Sequence, residues 1–431
     1  MSTQALHASA PSEAKTAAVR NILFVATLLL AWISASPFPS LSDPKLFELN
    51  DNSDLFNQLA YVVLGTAAIA YLLIHEPMRL RPLMRPVYIA MIAWLAVSVV
   101  TSLDTALSAK RVAYALLVIF LAGALPLLPA HLKRFAELSA AAVITVLALC
   151  YAGVLLIPDQ AIHQAYDTLE PLLAGDWRGT FAHKNIAGPM MVNFIFFGLF
   201  IARVRSAALG WTIAAAAALF LWFSHAKAST GLLPLVLILS WIATRVRSRV
   251  LCALLVFVPT IALNVFTVGS LYSESIKAAD TVILKDPTFT GRNDIWQFAI
   301  DNIHERPWFG HGFGAFWETP VTVFQPATEG SLATTASHAH NAFLDLTLTI
   351  GIPGVLIAML WTLVLPFLDW QRSRAAGADP DLTLLFSRIW MFGIYTGSFE
   401  SILFERGSAP WFTMLMAMFG LRYLSVARLQ R

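Results

Sequence analysis

The chain has 431 residues, 58% of them hydrophobic and 13% charged, with a net charge of +3. A soluble domain carries roughly 25% charged residues, so half that share points to an all-α polytopic membrane protein. The positive balance is too small and scattered for a nucleic-acid partner. The two cysteines, Cys150 and Cys252, lie inside apolar runs, which argues against a disulfide framework or a cysteine metal site.

In chain order, Met1–Ala18 is polar and rich in small residues, and no Ala-x-Ala cleavage pattern follows the first apolar run. Asn21–Ser36 therefore reads as a retained span. Apolar runs of spanning or near-spanning length occur at about 20–37, 56–74, 86–103, 112–130, 135–157, 186–203, 207–223, 231–244, 250–268, 342–368, 384–400 and 409–425, twelve in all. The expected organisation is a cytoplasmic tail over 1–19, nine spans over 20–268, a large loop over 269–340, three spans over 341–425 and a tail over 426–431. Lys and Arg divide 17 to 11 between alternate connections, with Arg388 inside a span. The positive-inside rule then puts both termini in the cytoplasm and the long loop on the outward face.

The long loop holds five Phe and three Trp between Phe289 and Phe343, more than a solvated tail carries. Asp294–Glu305 reads as a helix, capped by Thr290 or Asn293, with Ile295, Phe298, Ala299 and Asn302 on one face. Pro307 stops it, and Gly310, Gly312 and Gly314 permit a close-approach loop. Arg292 stands at the helix start, where the dipole adds to its own charge, and a helix N-terminus is an anion site.

Other cations collect at the same predicted face: Arg178, His183 and Lys184 in the loop before span six, and Lys227 before span eight. Glu400 and Glu405-Arg406 lie in the last outward turn. Cationic mouths on a face that normally avoids positive charge suit an anionic ligand. Asp379-Pro-Asp381 matches a D-x-D pattern, but Asp381 reads as a helix cap on the opposite side. His338 and His340, two apart, do not share a helix face for zinc, and no metal site is expected.

Taken together, Arg178-Gly-Thr-Phe-Ala-His-Lys-Asn185, Gly291-Arg292 with Trp296, Arg306-Pro-Trp-Phe-Gly-His-Gly-Phe-Gly314 and His340-Asn341 with Leu344, Gly351 and Gly354 resemble one family. It is the O-antigen ligase and polymerase superfamily of bacterial inner-membrane proteins. The wording Asp286-Pro-Thr-Phe-Thr-Gly-Arg-Asn-Asp-Ile-Trp296 is similar to its exopolysaccharide polymerase branch. The resemblance implies transfer of a glycan from an undecaprenyl-pyrophosphate carrier to a glycan or lipid A-core hydroxyl, with inversion and without metal, nucleotide or other cofactor.

The residue chemistry suits that reaction. Arg178 and Arg292 suit a pyrophosphate, because a planar guanidinium pairs bidentately with phosphate oxygens. Lys184, Asn185, His183 and Lys227 are candidate helpers. His340 is the favoured base, since histidine titrates near operating pH. His338 is the other candidate histidine, Asn341 a helix cap or orienting group, and Glu400 and Glu405 alternative bases. Trp296, Trp308, Phe313, Phe316 and Trp317 form either a sugar platform or the loop's own core. Membrane lipid and a chain-length regulator are the expected partners. Polymerase and ligase would share these residues, and a lipid-linked oligosaccharide flippase is the rival from another class, with Arg388 as its main intramembrane charge.

Overall fold

The computed structural model describes residues 10–39, 41, 55–167, 171–278, 291–319, 322, 336–405 and 407–426. These residues are helical, with one isolated antiparallel bridge between Ile162 and Trp177 among them. Successive helices are α1 (Ala10–Ile33), α2 (Leu55–His75), α3 (Pro86–Val100), α4 (Thr105–Ala124), α5 (Leu132–Leu156), α6 (Lys184–Val204) and α7 (Ala207–Ser224). There follow α8 (Lys227–Arg245), α9 (Arg249–Phe266), α10 (Arg292–Glu305), α11 (Ala342–Ala375), α12 (Pro380–Thr396) and α13 (Ala409–Val426).

Each of the twelve apolar runs is occupied by a helix, and α10 lies in the long loop. Among the described residues nine helices are long and apolar enough to cross a membrane, or ten if the 70° bend between Pro77–Leu83 and α3 joins one broken span. The chain is thus a multi-pass membrane protein. The expected count of twelve goes beyond what length and apolarity establish, because α12 and α13 fall outside that set. Both are buried along nearly their whole length, so they pack against protein rather than lipid and need less apolar surface.

α13 is central, packing against α1, α4, α6, α12 and the second half of α11. Buried aromatics tie these helices by their polar tips. Trp32 donates to Thr413 at 2.9 Å, Tyr423 to the Gly123 carbonyl at 2.8 Å and Trp390 to the Thr362 carbonyl at 2.7 Å. α6 and α7 form a tight hairpin in which Gly198 faces the backbone of Gly210 and Ala214. A side chain at Gly210 would strike the Ala202 backbone.

α11 carries the feature that shapes the long loop. Gly351 breaks it at φ 70 and Pro353 lacks an N–H, so the carbonyls of Leu348 and Thr349 lose their helical donors. His311 and Gly312 donate to those two carbonyls, each at 3.0 Å, and Ile352 donates to Pro307 at 2.8 Å. The Pro307–Gly314 strap therefore satisfies the broken helix, as a segment at membrane depth requires. Gly310, Gly312 and Gly314 all have positive φ and sit against Thr349, Ser102 and Arg111, the close approach their spacing suggested.

The loop has a small core of its own, formed by Ile295, Ala299, Phe316, Trp317, Ala339 and Leu348. Trp296, Phe313, Phe316 and Trp317 are buried, which favours the core reading over a sugar platform for these four. Trp308 is 63% exposed and stays available to an outside partner.

Candidate active site

His340 is the best-anchored residue of the loop's exit. It sits at φ 47, a left-handed conformation that costs an L-residue about 1–2 kcal/mol. Both neighbours are fixed. The Ala339 carbonyl accepts from buried Trp296 at 3.0 Å, and its N–H donates to Asp345 at 3.0 Å. Asn341 caps α11 by accepting from Phe343 and Leu344, while its amide donates to Asn264 at 2.9 Å and Ser398 at 3.3 Å. The surrounding structure thus over-determines the strained residue, a pattern that clusters at functional sites.

α10 explains why Arg and Trp occur four residues apart. That spacing puts them on one face. Trp296 holds Ala339, and one turn earlier Arg292 reaches Glu400 at 2.7 Å and the Phe399 carbonyl at 2.6 Å. The helix begins at Arg292 rather than Asp294, after Gly291 at φ 83. Gly291 makes no side-chain cap, Asn293 lies within the helix, and Thr290 lies outside the described residues. Ile295, Ala299 and Asn302 are buried and Phe298 packs on the loop core, as their spacing implied.

Glu400 joins the two sequence candidates. One oxygen takes Arg292, and the other meets His340 Nδ1 at 2.9 Å. An ionised carboxylate only accepts, so Nδ1 carries the proton and Nε2 is left to receive one. Burial pushes the Glu400 carboxyl up, but Arg292 and then His340 outweigh it and hold it well below the usual carboxylate range. Glu400 is therefore a poor base and a firm orienting anion. Glu405 differs: burial raises it to about 7, opposed by a Ser408 hydrogen bond and helped by the charges of Glu400 and Asp345. Its sequence neighbour Arg406 lies outside the described residues.

His338 lies beside His340, with ring centroids 4.2 Å apart, and its Nδ1 accepts the His340 N–H at 3.2 Å. Burial, then His340, depresses His338 to about 3, so it is neutral. The two histidines do not share a helix face, as their spacing implied, but a loop with a left-handed residue brings their rings together. Ligand atoms of His338, His340 and Glu400 lie within 4.8 Å of one another, a spacing a metal could use. Arg292 already supplies the cation for Glu400, so a dication entering there would meet its repulsion.

The second cluster is built on the loop before α6. Arg178 is 1% exposed and donates to the Phe181 and Pro39 carbonyls at 3.2 and 2.9 Å. Its Nε is buried without a hydrogen-bond partner among the described residues. Arg178 thus clasps this loop to the segment after α1 rather than facing an open surface. Lys184 pairs with Asp176 at 2.5 Å, and His225 meets the same carboxylate at 2.6 Å. His183 caps α6 by accepting from Asn185 at 3.0 Å and packs edge-on to His163, 4.9 Å away. Burial, then His183 and Arg178, lower His163 to about 4, although Asp167 faces it at 3.3 Å.

The structure brings Arg292, His338, His340 and Asn341 together around Glu400, and groups Arg178, His183, Lys184 and Asn185 in the second cluster. Lys227 is exposed at the start of α8. Sequence reasoning missed His163, Asp167, Asp176, Asn264 and Asp345, which carry no recognisable spacing, and weighed Glu400 only as a rival base. In the D-x-D pattern, the cap is Asp379, which accepts from Leu382 at 2.9 Å, whereas Asp381 pairs with Arg203 at 3.1 Å.

Residues 190–359 match the family model described as O-Antigen ligase. A 127-residue stretch is 26% identical to the exopolysaccharide production protein ExoQ of Rhizobium meliloti (strain 1021). That match covers 28% of this chain and 29% of the relative, so the alignment spans under a third of either protein.

Proposed function

We propose that this chain, a membrane protein of the O-antigen ligase and polymerase superfamily by both comparisons, is a glycosyltransferase that polymerises lipid-linked oligosaccharide repeat units. The observation that carries the reading is the Arg292–Glu400–His340 chain, in which one carboxylate from the turn after α12 joins a cation at the start of α10 to an oriented base before α11. Displacement at an anomeric carbon needs both. His340 Nε2 takes the acceptor hydroxyl proton as that oxygen bonds to the anomeric carbon. The bond to pyrophosphate breaks on the opposite face, and the electron pair leaves with the lipid carrier. Arg292 stabilises the growing charge.

Arg292 has five N–H donors, of which two go to Glu400 and Phe399, and a phosphate would take others. Arg178 is the second cation in this proposal. Its buried, unsatisfied Nε is a donor that an anionic ligand would satisfy, provided the clasp on Pro39 yields. Lys184, Asn185, His183, His338, Asn341 and Lys227 are assigned substrate binding in the same proposal, and no metal takes part in these steps. The undecaprenyl-pyrophosphate donor, the inner-membrane location, cytoplasmic termini, twelve crossings and a periplasmic loop belong to the same proposal, and so does a chain-length regulator.

The description of the matched family favours one second reading, transfer of the glycan to lipid A core. One experiment separates the readings: polysaccharide output of a deletion strain complemented with wild type, Arg292→Ala or His340→Ala at equal membrane abundance. Single lipid-linked repeats in both variants support the polymerase. Long carrier-bound chains that never reach lipid A support the ligase. Normal polymer from both variants would sink the catalytic assignment and return the flippase reading.

A further inference from the structure

A second buried carboxylate lies at the far end of α11, and its surroundings are unbalanced. Asp369 is 1% exposed and accepts from Arg85 at 2.6 Å and Ser425 at 3.0 Å. Arg422 and Arg372 approach the same oxygen at 3.6 and 3.8 Å. Three guanidiniums thus converge on one carboxylate oxygen, from the start of α3, the end of α11 and the end of α13. The local charge is +2.

Buried charge is tolerated when it is paired, and here Arg85 and Arg422 share one carboxylate while the surplus carried by Arg372 is partly relieved by exposure. Arg85 is itself 8% exposed, and its Nη1 is buried with no hydrogen-bond partner among the described residues. Arg422 is fixed from the other side by donating Nε to the Pro82 carbonyl at 3.1 Å, so it cannot swing away without breaking that bond. Arg372 has a side chain 57% exposed, which leaves one flank of the cluster open. α11 is broken at Gly351, so its straight run towards Asp369 begins at Ile352 and covers 17 residues, roughly 26 Å at 1.5 Å per residue, which sets the cluster well away from His340. It lies at the arginine-rich end of the helix, where exposed Arg79 and Arg81 precede Arg85.

We propose that Arg85, Arg372 and Arg422 bind the phosphate of an anionic phospholipid, with Asp369 as the internal counter-charge that orients them. A phosphodiester entering at the flank that Arg372 leaves open cancels part of the surplus, and it supplies an acceptor to the buried Nη1 of Arg85 once Arg372 turns aside. Basic pockets between spanning helices hold anionic headgroups in this way. Choline- or ethanolamine-bearing lipids present a cation as well and gain less from a +2 site. The proposal is independent of the glycan chemistry at the other end of the helix.

The test uses the purified full-length protein in detergent. Its melting midpoint is followed while dioctanoyl-phosphatidylglycerol, dioctanoyl-phosphatidylcholine or inorganic phosphate is added to wild type and Arg372→Gln. Arg372 is the safest position to change, because it is half-exposed and the most distant of the three from Asp369. Phosphatidylglycerol should stabilise wild type by several degrees, with a half-saturating concentration about tenfold higher in Arg372→Gln, as expected for one charge-assisted contact. Phosphatidylcholine should do little. Equal effects of the two lipids, or the same response in wild type and variant, overturn the proposal. A stabilisation by millimolar phosphate that matches phosphatidylglycerol overturns the lipid assignment, because a soluble anion would then fill the site. Arg85→Gln tested in parallel should abolish the phosphatidylglycerol response even where its starting midpoint is lower.

Discussion

Glu400 and Asp369 are both buried carboxylates that pair with arginine, and they stand near opposite ends of α11. Glu400 faces one guanidinium and one imidazole, so its two oxygens are divided between a cation and a base. Asp369 faces three guanidiniums through one oxygen. The first arrangement is balanced and strained in the backbone beside it. The second is unstrained and overcharged. Similar ingredients thus serve two purposes: a carboxylate with a histidine sets a tautomer, and a carboxylate among arginines limits their repulsion.

The comparison can be broken most forcefully at the outward end. His340→Ala or Arg292→Ala should lower transfer by about 10²- to 10⁴-fold without loss of membrane insertion. In vitro turnover with a lipid-linked donor measures this, and variants that keep near-native rates would remove the site. At the other end, Asp369→Asn should destabilise the fold by about 3–5 kcal/mol, because three guanidiniums lose their buried partner. A melting midpoint unchanged in Asp369→Asn would show that the surplus is already neutralised by another group.

Glu400→Gln sharpens the contrast. Turnover should fall about tenfold to a hundredfold with the acceptor KM nearly unchanged, since an orienting partner is lost but no substrate contact is. Glu400→Asp should recover part of the rate. If Glu400→Gln changes KM alone, the carboxylate holds substrate rather than His340. Glu405, raised to about 7, supplies the control: Glu405→Gln should leave the acid limb of the pH–rate profile in place if His340 is the base.

A smaller effect concerns acid. His338 titrates near 6.5 when unfolded and near 3 in the fold, so between those values the unfolded chain binds the extra proton. Stability therefore falls as pH drops from about 6.5 towards 3, by roughly 2 kcal/mol at pH 5. Glu400, depressed from 4.5, keeps its contribution at pH 5 and begins to lose it only below 4.5, so it does not enter a comparison of pH 7.5 with pH 5. His163 and Glu405 also contribute between pH 7.5 and 5, with opposite signs, so the His338 share is read by difference: acidification should cost His338→Gln roughly 2 kcal/mol less than wild type, and an unaltered slope would refute the assignment. Chelation should have the smallest effect: treatment with EDTA is expected to leave turnover unchanged, and a loss restored by added metal would make the His338–His340–Glu400 group a metal site.

Much of the outward loop was legible because each motif residue answers a local need. Arg292 and Trp296 share a helix face by spacing, Asn341 reads as a cap, and Gly351 with Pro353 breaks a helix whatever surrounds it. Glu400 was legible only as a nearby acid. It is 108 residues from Arg292 and 60 from His340, and no periodicity connects them. Arg178 looked like an exposed cation because loops usually are exposed, but the segment after α1 folds over it. The Asp369 cluster gathers residues from Arg85 to Ser425, and no local pattern marks it.

The sequence by itself determined a helical multi-pass membrane protein, its helix locations, its loop helix and its family resemblance. These follow from hydrophobic runs, caps and breakers, all of which act within a few residues. Only the tertiary structure decided which carboxylate meets which cation, which arginine is clasped and which is open, and where positive charge is left in excess. Those outcomes depend on desolvation and on distances between side chains far apart in the chain, and neither quantity exists until the helices have packed.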